Sequence, residues 1–150
     1  MSVTTTYKLP EAACYPTTTV KAILEVLEKC PNGARMLFDF AGFQLGDLQS
    51  YRGYYECLSI EPILPQSVMV NAITQKNEPE TVASFYLRLS EMVGKEITGY
   101  KGGEYLVTPD TAIWVSFYGR ADSTAIHKIK VLDYGDGDGT VWLCTKIVED

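Results

Sequence analysis

The chain has 150 residues, of which 46% are hydrophobic and 21% are charged, a composition typical of one globular domain. Thirteen Lys and Arg stand against 19 Asp and Glu, which gives a net charge of −6 at pH 7. A long nucleic acid is bound through a basic face that displaces counterions from many phosphates, so this charge argues against long nucleic acid as a partner. No apolar run approaches the roughly 20 residues that cross a bilayer, and Met1 to Pro10 lacks the features of a signal peptide. We therefore expect a cytoplasmic protein with no membrane partner.

Two segments have the apolar spacing of amphipathic helices. The first, Thr18 to Cys30, follows threonines that can cap it and is stopped by a Pro-Asn-Gly sequence. The second, Asn77 to Val93, begins with an asparagine and a glutamate at capping-box spacing and ends before a glycine. The apolar positions of the helices and strands predict a core that includes Leu24, Leu27, Phe38, Phe85, Leu89 and Val131.

The other apolar segments have the character of strands, separated by glycine-rich or proline-containing turns. The stretch from Ala41 to Gly53 is interpreted as a loop, and the acidic stretch from Asp133 to Gly139 as a hairpin turn rather than a calcium loop, because it lacks the EF-hand spacing. The predicted strands are Ala34 to Phe40, Tyr54 to Ile60, Glu104 to Val107, Ala112 to Tyr118, Ala125 to Tyr134 and Thr140 to Val148.

The order of these elements predicts the fold class. Helix, strands, helix, strands lacks the regular β-α alternation that produces a parallel sheet. We therefore predict a single α+β domain over residues 1–150, with a mainly antiparallel β-sheet and two α-helices packed on one face.

The usual markers of catalysis and metal binding are weak in this sequence. The four cysteines form no CxxC pair, which favours structural thiols over a metal site. The single histidine, His127, is placed by strict alternation on the face of Ala125, Ile129 and Val131. There is no P-loop, dinucleotide fingerprint or nucleophile motif, so we assign no catalytic residue, no metal ligand and no cofactor. General acid–base work by His127 or by a carboxylate such as Glu56, Glu104 or Asp39 stays an open alternative.

Three segments combine cations, glycines and aromatic residues. They are Ser50-Tyr-Arg-Gly-Tyr-Tyr55, Gly99-Tyr-Lys-Gly-Gly-Glu-Tyr105 and Trp114-Val-Ser-Phe-Tyr-Gly-Arg120. Arginine can fork onto phosphate oxygens, glycine turns expose backbone amides, and aromatic rings can stack on a base. Together these segments predict a pocket for a small phosphorylated, nucleotide-like ligand, although glycine turns and solvated cations explain each segment alone. The predicted ligand-binding residues are Tyr51, Arg52, Gly53, Tyr100, Lys101, Gly102, Gly103, Trp114 and Arg120.

The same three segments resemble a group of small acidic proteins of tailed bacteriophages, over roughly Phe38 to Arg120. That group shares an S-[YW]-R-G-x-Y segment, a short helix, a G-[YW]-K-G-G-[EDK] segment and a W-V-[AS]-x-x-G ending. The resemblance implies a phage origin, and small phage proteins without enzymatic signatures often counter host defence. It therefore favours a non-catalytic sponge that sequesters a nucleotide signal in the host cytoplasm as a homo-oligomer.

Two other functions remain open at the level of sequence. One is a protein-binding module that inhibits a host enzyme through an acidic surface, with the glycine and tyrosine segments purely structural. The other is an enzyme that cleaves the nucleotide. The identity of the ligand, the oligomer number and the host target do not follow from the sequence.

Overall fold

A computed structural model of the protein describes residues 2–40, 42–54, 56–63, 80–99, 102–117 and 120–148, with the side chains of 117 and 120–122 outside the description. These residues form one α+β fold, as predicted, with a mixed but mainly antiparallel sheet. The helices are α1 (Val20–Leu27) and α2 (Val82–Met92). The strands are β1 (Val3–Lys8), β2 (Arg35–Phe38), β3 (Gln44–Ser50), β4 (Leu58–Ile63), β5 (Glu96–Thr98), β6 (Glu104–Leu106), β7 (Ile113–Phe117), β8 (Arg120–Gly135) and β9 (Asp138–Ile147).

Seven strands form one sheet in the order β1-β8-β7-β4-β3-β2-β9, while β5 and β6 pair separately. The sheet closes on itself because β8 also pairs with β9. Strand β8 can do this because its 16 residues hold β7 and β1 in succession along one edge and β9 along the other. Two of the pairings, β2 with β9 and β4 with β7, are parallel.

Both helices contribute to one large core with the inner face of the sheet. Five of the six predicted core residues are buried there, and the sixth, Leu24, is only half-buried. Each helix begins at a threonine cap: Thr19 accepts a hydrogen bond from the backbone N–H of Ala22, and Thr81 forms a capping box with Ser84. The predicted cap of the second helix was wrong, because that helix begins at Val82. The predicted cap residue Asn77 lies outside the described residues.

Several predicted strand boundaries were also wrong. The segment assigned to a loop, Ala41 to Gly53, contains β3, which pairs with both β2 and β4. The next strand starts four residues later than predicted, at Leu58, and continues through Pro62. Strand β1 was not predicted at all, and it is paired with β8 along its full length. These strands are specified by the strands that they pair with, which for β1 lie far along the chain, rather than by their own alternation.

The predicted acidic hairpin turn is confirmed between β8 and β9. Asp136 and Gly137 both have positive φ, at 57° and 79°, the conformation that favours Asp-Gly in a tight turn between two twisted strands. The side chain of Asp133 accepts a hydrogen bond from the backbone N–H of Gly135 and so stabilises the turn further.

Candidate functional site

The hydroxyl of Ser50 joins the first two predicted segments. Its Oγ donates to the carbonyl of Thr98 at 3.0 Å and lies 2.9 Å from the Tyr105 hydroxyl. The Tyr105 hydroxyl in turn donates to the carbonyl of Cys57 at 2.8 Å. These contacts hold the bend at 51–54 beside the ends of β5 and β6, although the two segments are almost 50 residues apart along the chain.

Tyr51 joins the third segment to the first. Its ring stacks on that of Trp114, with 5.1 Å between the ring centroids and 9° between the planes. Its hydroxyl accepts a hydrogen bond from the backbone N–H of Ser123, in β8, at 3.0 Å. The three segments that the sequence singled out therefore meet in the fold.

Trp114 lies at the centre of an aromatic cluster that we define as Tyr15, Tyr51, Tyr54 and Trp114. Tyr54 lies 5.4 Å from Trp114 and 5.0 Å from Tyr15 between ring centroids. The cluster packs on the outer face of β7 and β8, opposite the main core, because Trp114 alternates with the inward-facing Ile113.

A buried threonine fixes the N-terminal part of this cluster. Thr17 Oγ1 donates to the carbonyl of Ile113 at 2.7 Å and accepts from the backbone N–H of Ile126 at 2.9 Å. It thereby holds the segment that carries Tyr15 against β7 and β8.

Tyr51 and Trp114 were predicted as stacking faces for a ligand, and both are buried, with 1% and 0% of their surfaces exposed. Each ring is covered by the other members of the cluster, so neither offers a free face in this arrangement. The exposed member is Tyr54, which keeps 37% of its surface accessible. Tyr54 and Tyr15 were not predicted as site residues. The only sign of them in the sequence was that Tyr54 follows Arg52 by two residues and that Tyr15 precedes the threonines before α1.

The predicted cation and glycine residues lie at the surface where the structure describes them. Arg52 and Gly53 are exposed in the bend, and Gly102 and Gly103 are exposed before β6. Arg52 has no carboxylate oxygen within 4.0 Å among the described residues. Gly102 has a φ of 91°, which side chains other than glycine rarely adopt.

The other predicted site residues fall outside this description. Tyr100 and Lys101 are not among the described residues, and Arg120 is described only by its backbone.

The polar groups inside the aromatic cluster are held in neutral form. Burial raises the pKa of the Cys57 thiol, although the Trp114 indole N–H and the Tyr15 hydroxyl act in the opposite direction. Burial and the nearby Cys57 raise the pKa of Tyr15. The Trp114 Nε1 is buried and has no well-formed hydrogen bond to a described residue, so it lies against the thiol without binding it strongly. This interior is suited to packing rather than to acid–base chemistry.

Of the other candidate catalytic groups, His127 and Asp39 are the two that lie near each other among the described residues. His127 lies in β8 near Asp39, whose Oδ1 accepts from the Thr145 N–H at 3.1 Å and from its hydroxyl at 2.9 Å. Glu56 lies in the bend before β4, and Glu104 is exposed in β6. Among the described part of the chain, no three His, Cys, Asp or Glu side chains are grouped so that they could hold a metal ion.

Comparison with known proteins returns no match for this chain among protein-family models, curated proteins or solved structures. Within the described residues, neither helix has the length and apolar character required to cross a bilayer.

Proposed function

We propose that the protein binds and sequesters a small phosphorylated, nucleotide-type signalling molecule without cleaving it. The observation that carries the proposal is the convergence of the three segments through Ser50, Tyr51 and Tyr105. The ligand surface consists of the bend at 51–54 and the glycines before β6.

Each part of this surface supplies one element of nucleotide recognition. The exposed guanidinium of Arg52 is suited to forking onto phosphate oxygens, and it has no competing carboxylate partner among the described residues. Gly53 and Gly103 allow close approach of backbone amides to an anion, whereas the Gly102 N–H donates to the Gly99 carbonyl at 2.9 Å. Tyr54 takes the stacking role that the sequence gave to Tyr51 and Trp114, because it alone of the cluster is exposed.

The support of the candidate surface is preorganised for binding. Tyr54 rests on three other rings, and the bend is held by hydrogen bonds at Ser50 and Tyr51. Preorganised contacts of this kind reduce the entropy lost on binding. The resemblance of the segments to phage proteins supports a role in countering host defence, and we include a homo-oligomeric state in the proposal.

Mass spectrometry of small molecules released by heating tests this function. The protein is purified from cells that make nucleotide signals, alongside the Arg52→Ala variant and the control Lys21→Ala, whose exposed lysine lies in α1. Release of one intact nucleotide from wild type and control, and much less from Arg52→Ala, is the expected result. A cleaved product would favour a nucleotide-cleaving enzyme instead, and no released nucleotide would favour a protein-binding module.

A further inference from the structure

Four lysines gather on the outer face of β1, β8 and β9. Lys8 in β1 lies directly opposite Lys128 in β8, and Lys130 follows two residues later on the same face. Lys130 alternates with the core residue Ile129, so its side chain is directed outward. Lys146 in β9 lies close enough to act on His127, as Lys128 does. We call Lys8, Lys128, Lys130 and Lys146 the lysine face.

A β-bulge places His127 within this face. The register between β8 and β9 shifts between Ile126 and Lys128, so His127 is an extra residue opposite β9. The prediction that His127 shares a face with Ala125, Ile129 and Val131 was therefore wrong; Ala125 itself belongs to the outer cluster, whereas Ile129 and Val131 lie in the main core. The groups acting on His127 from its neighbours are Lys128, Lys146, Asp39 and the Thr145 backbone.

This arrangement of lysines is costly to the free protein. Like charges directly opposite each other across two strands are destabilising, which is the case for Lys8 and Lys128. None of the four lysines has a carboxylate oxygen within 4.0 Å among the residues described. The chain has only 13 Lys and Arg and a net charge of −6, yet four of these cations share one sheet face. A bound polyanion would offset their repulsion.

An aromatic residue adjoins the lysines and indicates which polyanion fits. Trp142 in β9 is paired across the strands with Lys130, whose Nζ lies 5.6 Å from the ring centroid. Trp142 is only partly buried, unlike Trp114. Cations for phosphates beside an accessible ring for a base are the combination by which sheet surfaces bind single-stranded nucleic acid. An acidic peptide would use the lysines but would have no use for the part of the Trp142 ring that Lys130 leaves accessible.

We propose that the lysine face and Trp142 bind a short stretch of single-stranded nucleic acid. The net charge of the chain argues against binding along a long duplex, and this proposal concerns a few consecutive phosphates on one face. The lysine face shares no residue with the bend at 51–54, so the variants Lys128→Ala/Lys130→Ala and Arg52→Ala test the two proposals separately.

Fluorescence polarisation with a labelled oligo-dT of about twelve nucleotides tests the charge contacts. For about four neutralised phosphates on a single strand, affinity should fall about 50-fold between about 50 and 200 mM salt. The double variant Lys128→Ala/Lys130→Ala should bind at least tenfold more weakly at low salt and show a shallower salt dependence. The control Lys21→Ala, an exposed lysine on α1, should bind as wild type does.

Intrinsic fluorescence tests the aromatic contact. Oligo-dT should quench the emission of Trp142, and the quenching should be lost in Trp142→Phe, which retains the buried Trp114 as an internal reference. Circular dichroism of each variant confirms that the fold persists. Absence of binding at low salt, equal loss in Lys21→Ala, or equal competition by a polyglutamate peptide would each overturn the proposal, the last in favour of an acidic protein partner.

Discussion

Replacing Tyr105 by phenylalanine removes one hydroxyl from the junction between the first two site segments. The Tyr105 side chain is 5% exposed, and its hydroxyl donates to the Cys57 carbonyl at 2.8 Å and lies 2.9 Å from Ser50 Oγ. Ser50 and Tyr105 each have one hydroxyl hydrogen. The Ser50 hydrogen is donated to the Thr98 carbonyl, so it cannot take over the bond that Tyr105 donates to the Cys57 carbonyl. The Tyr105→Phe substitution therefore leaves the buried Cys57 carbonyl without this donor.

The expected cost is that of one lost buried hydrogen bond, because the Cys57 carbonyl still accepts from the Tyr51 N–H at 2.8 Å. We expect the free energy of unfolding to fall by about 0.5–1.5 kcal/mol, with an unchanged dependence on denaturant, because the ring still fills its place. In a chain of this size each 1 kcal/mol corresponds to about 2–4 °C in the midpoint of thermal unfolding. We also expect weaker nucleotide binding, although no cation is removed, because the bend and the glycines before β6 lose their link.

Urea unfolding of wild type, Tyr105→Phe and the matched control Tyr86→Phe measures this effect. The hydroxyl of Tyr86 donates to Glu28 at 3.2 Å in an exposed setting, so its loss should cost less than about 0.5 kcal/mol. A Tyr105→Phe variant as stable as wild type, or a Tyr86→Phe variant equally destabilised, would refute the reasoning that the junction holds the site together.

Leu27→Ala should lower the free energy of unfolding in urea by about 2–5 kcal/mol, because the Leu27 side chain is fully buried. Leu24→Ala should lower it clearly less, because Leu24 is only half-buried, and equal losses would contradict the packing of α1. In native protein at neutral pH a maleimide should label the exposed Cys14 rapidly and Cys57 only after unfolding, because Cys57 is buried and burial raises its pKa. Fast labelling of Cys57 itself, located by peptide mass spectrometry, would contradict this. The pKa of His127 is lowered from 6.5, first by burial and then by two lysines, so the unfolded chain binds more protons at this site below that pH. The stability that the neutral His127 contributes should be present above pH 6.5 and lost as the pH falls below it. The free energy of unfolding of His127→Gln should therefore depend less on pH in this range. If its dependence on pH equals that of wild type, His127 does not cause the loss of stability.

The helices could be predicted because their signals are local. The stripe of apolar residues in α1 is read from eight consecutive positions, and it is buried as expected at Leu27. The start of α2 could not be read in this way, because Asn77 and Thr81 are both acceptable caps. Thr81 is the cap in the structure, and the residue before it is held by another part of the chain. The Met36 N–H donates to the Glu80 carbonyl at 2.9 Å, which holds residue 80 against β2.

The missed strands depend on partners that the sequence does not identify. The residues of β3 are glycine-containing and polar, and they become a strand because β4 pairs along them, with a register shift after Leu45. The bulge at His127 likewise arises from the pairing of β8 with β9 and reverses the side-chain faces on either side of it. Alternation along β8 alone therefore gave the wrong face for Ala125.

The composition of the candidate site could be predicted, but not the role of each aromatic residue. The segments were grouped by their glycines, cations and aromatic residues, and the contacts of Ser50 with Tyr105 and of Tyr51 with Trp114 bring them together. Whether a tyrosine is a buried support or an exposed surface depends on what covers it. Tyr51 is covered by Trp114 and Tyr54, and nothing in the sequence distinguishes its ring from that of Tyr54.

Calorimetric titration of wild type and Arg52→Ala with a panel of cyclic and ADP-ribose-derived nucleotides tests the central claim most directly. A charged hydrogen bond contributes about 1.5–3 kcal/mol, so Arg52→Ala should bind roughly ten- to hundredfold more weakly. Because Arg52 is exposed, the thermal stability of Arg52→Ala should stay near that of wild type. The control Lys21→Ala should bind the nucleotide as wild type does. Micromolar binding of one nucleotide by wild type, weakened in this way by Arg52→Ala alone, is the predicted result. No binding of any nucleotide by wild type would contradict sequestration, and equal binding by Arg52→Ala would contradict the site.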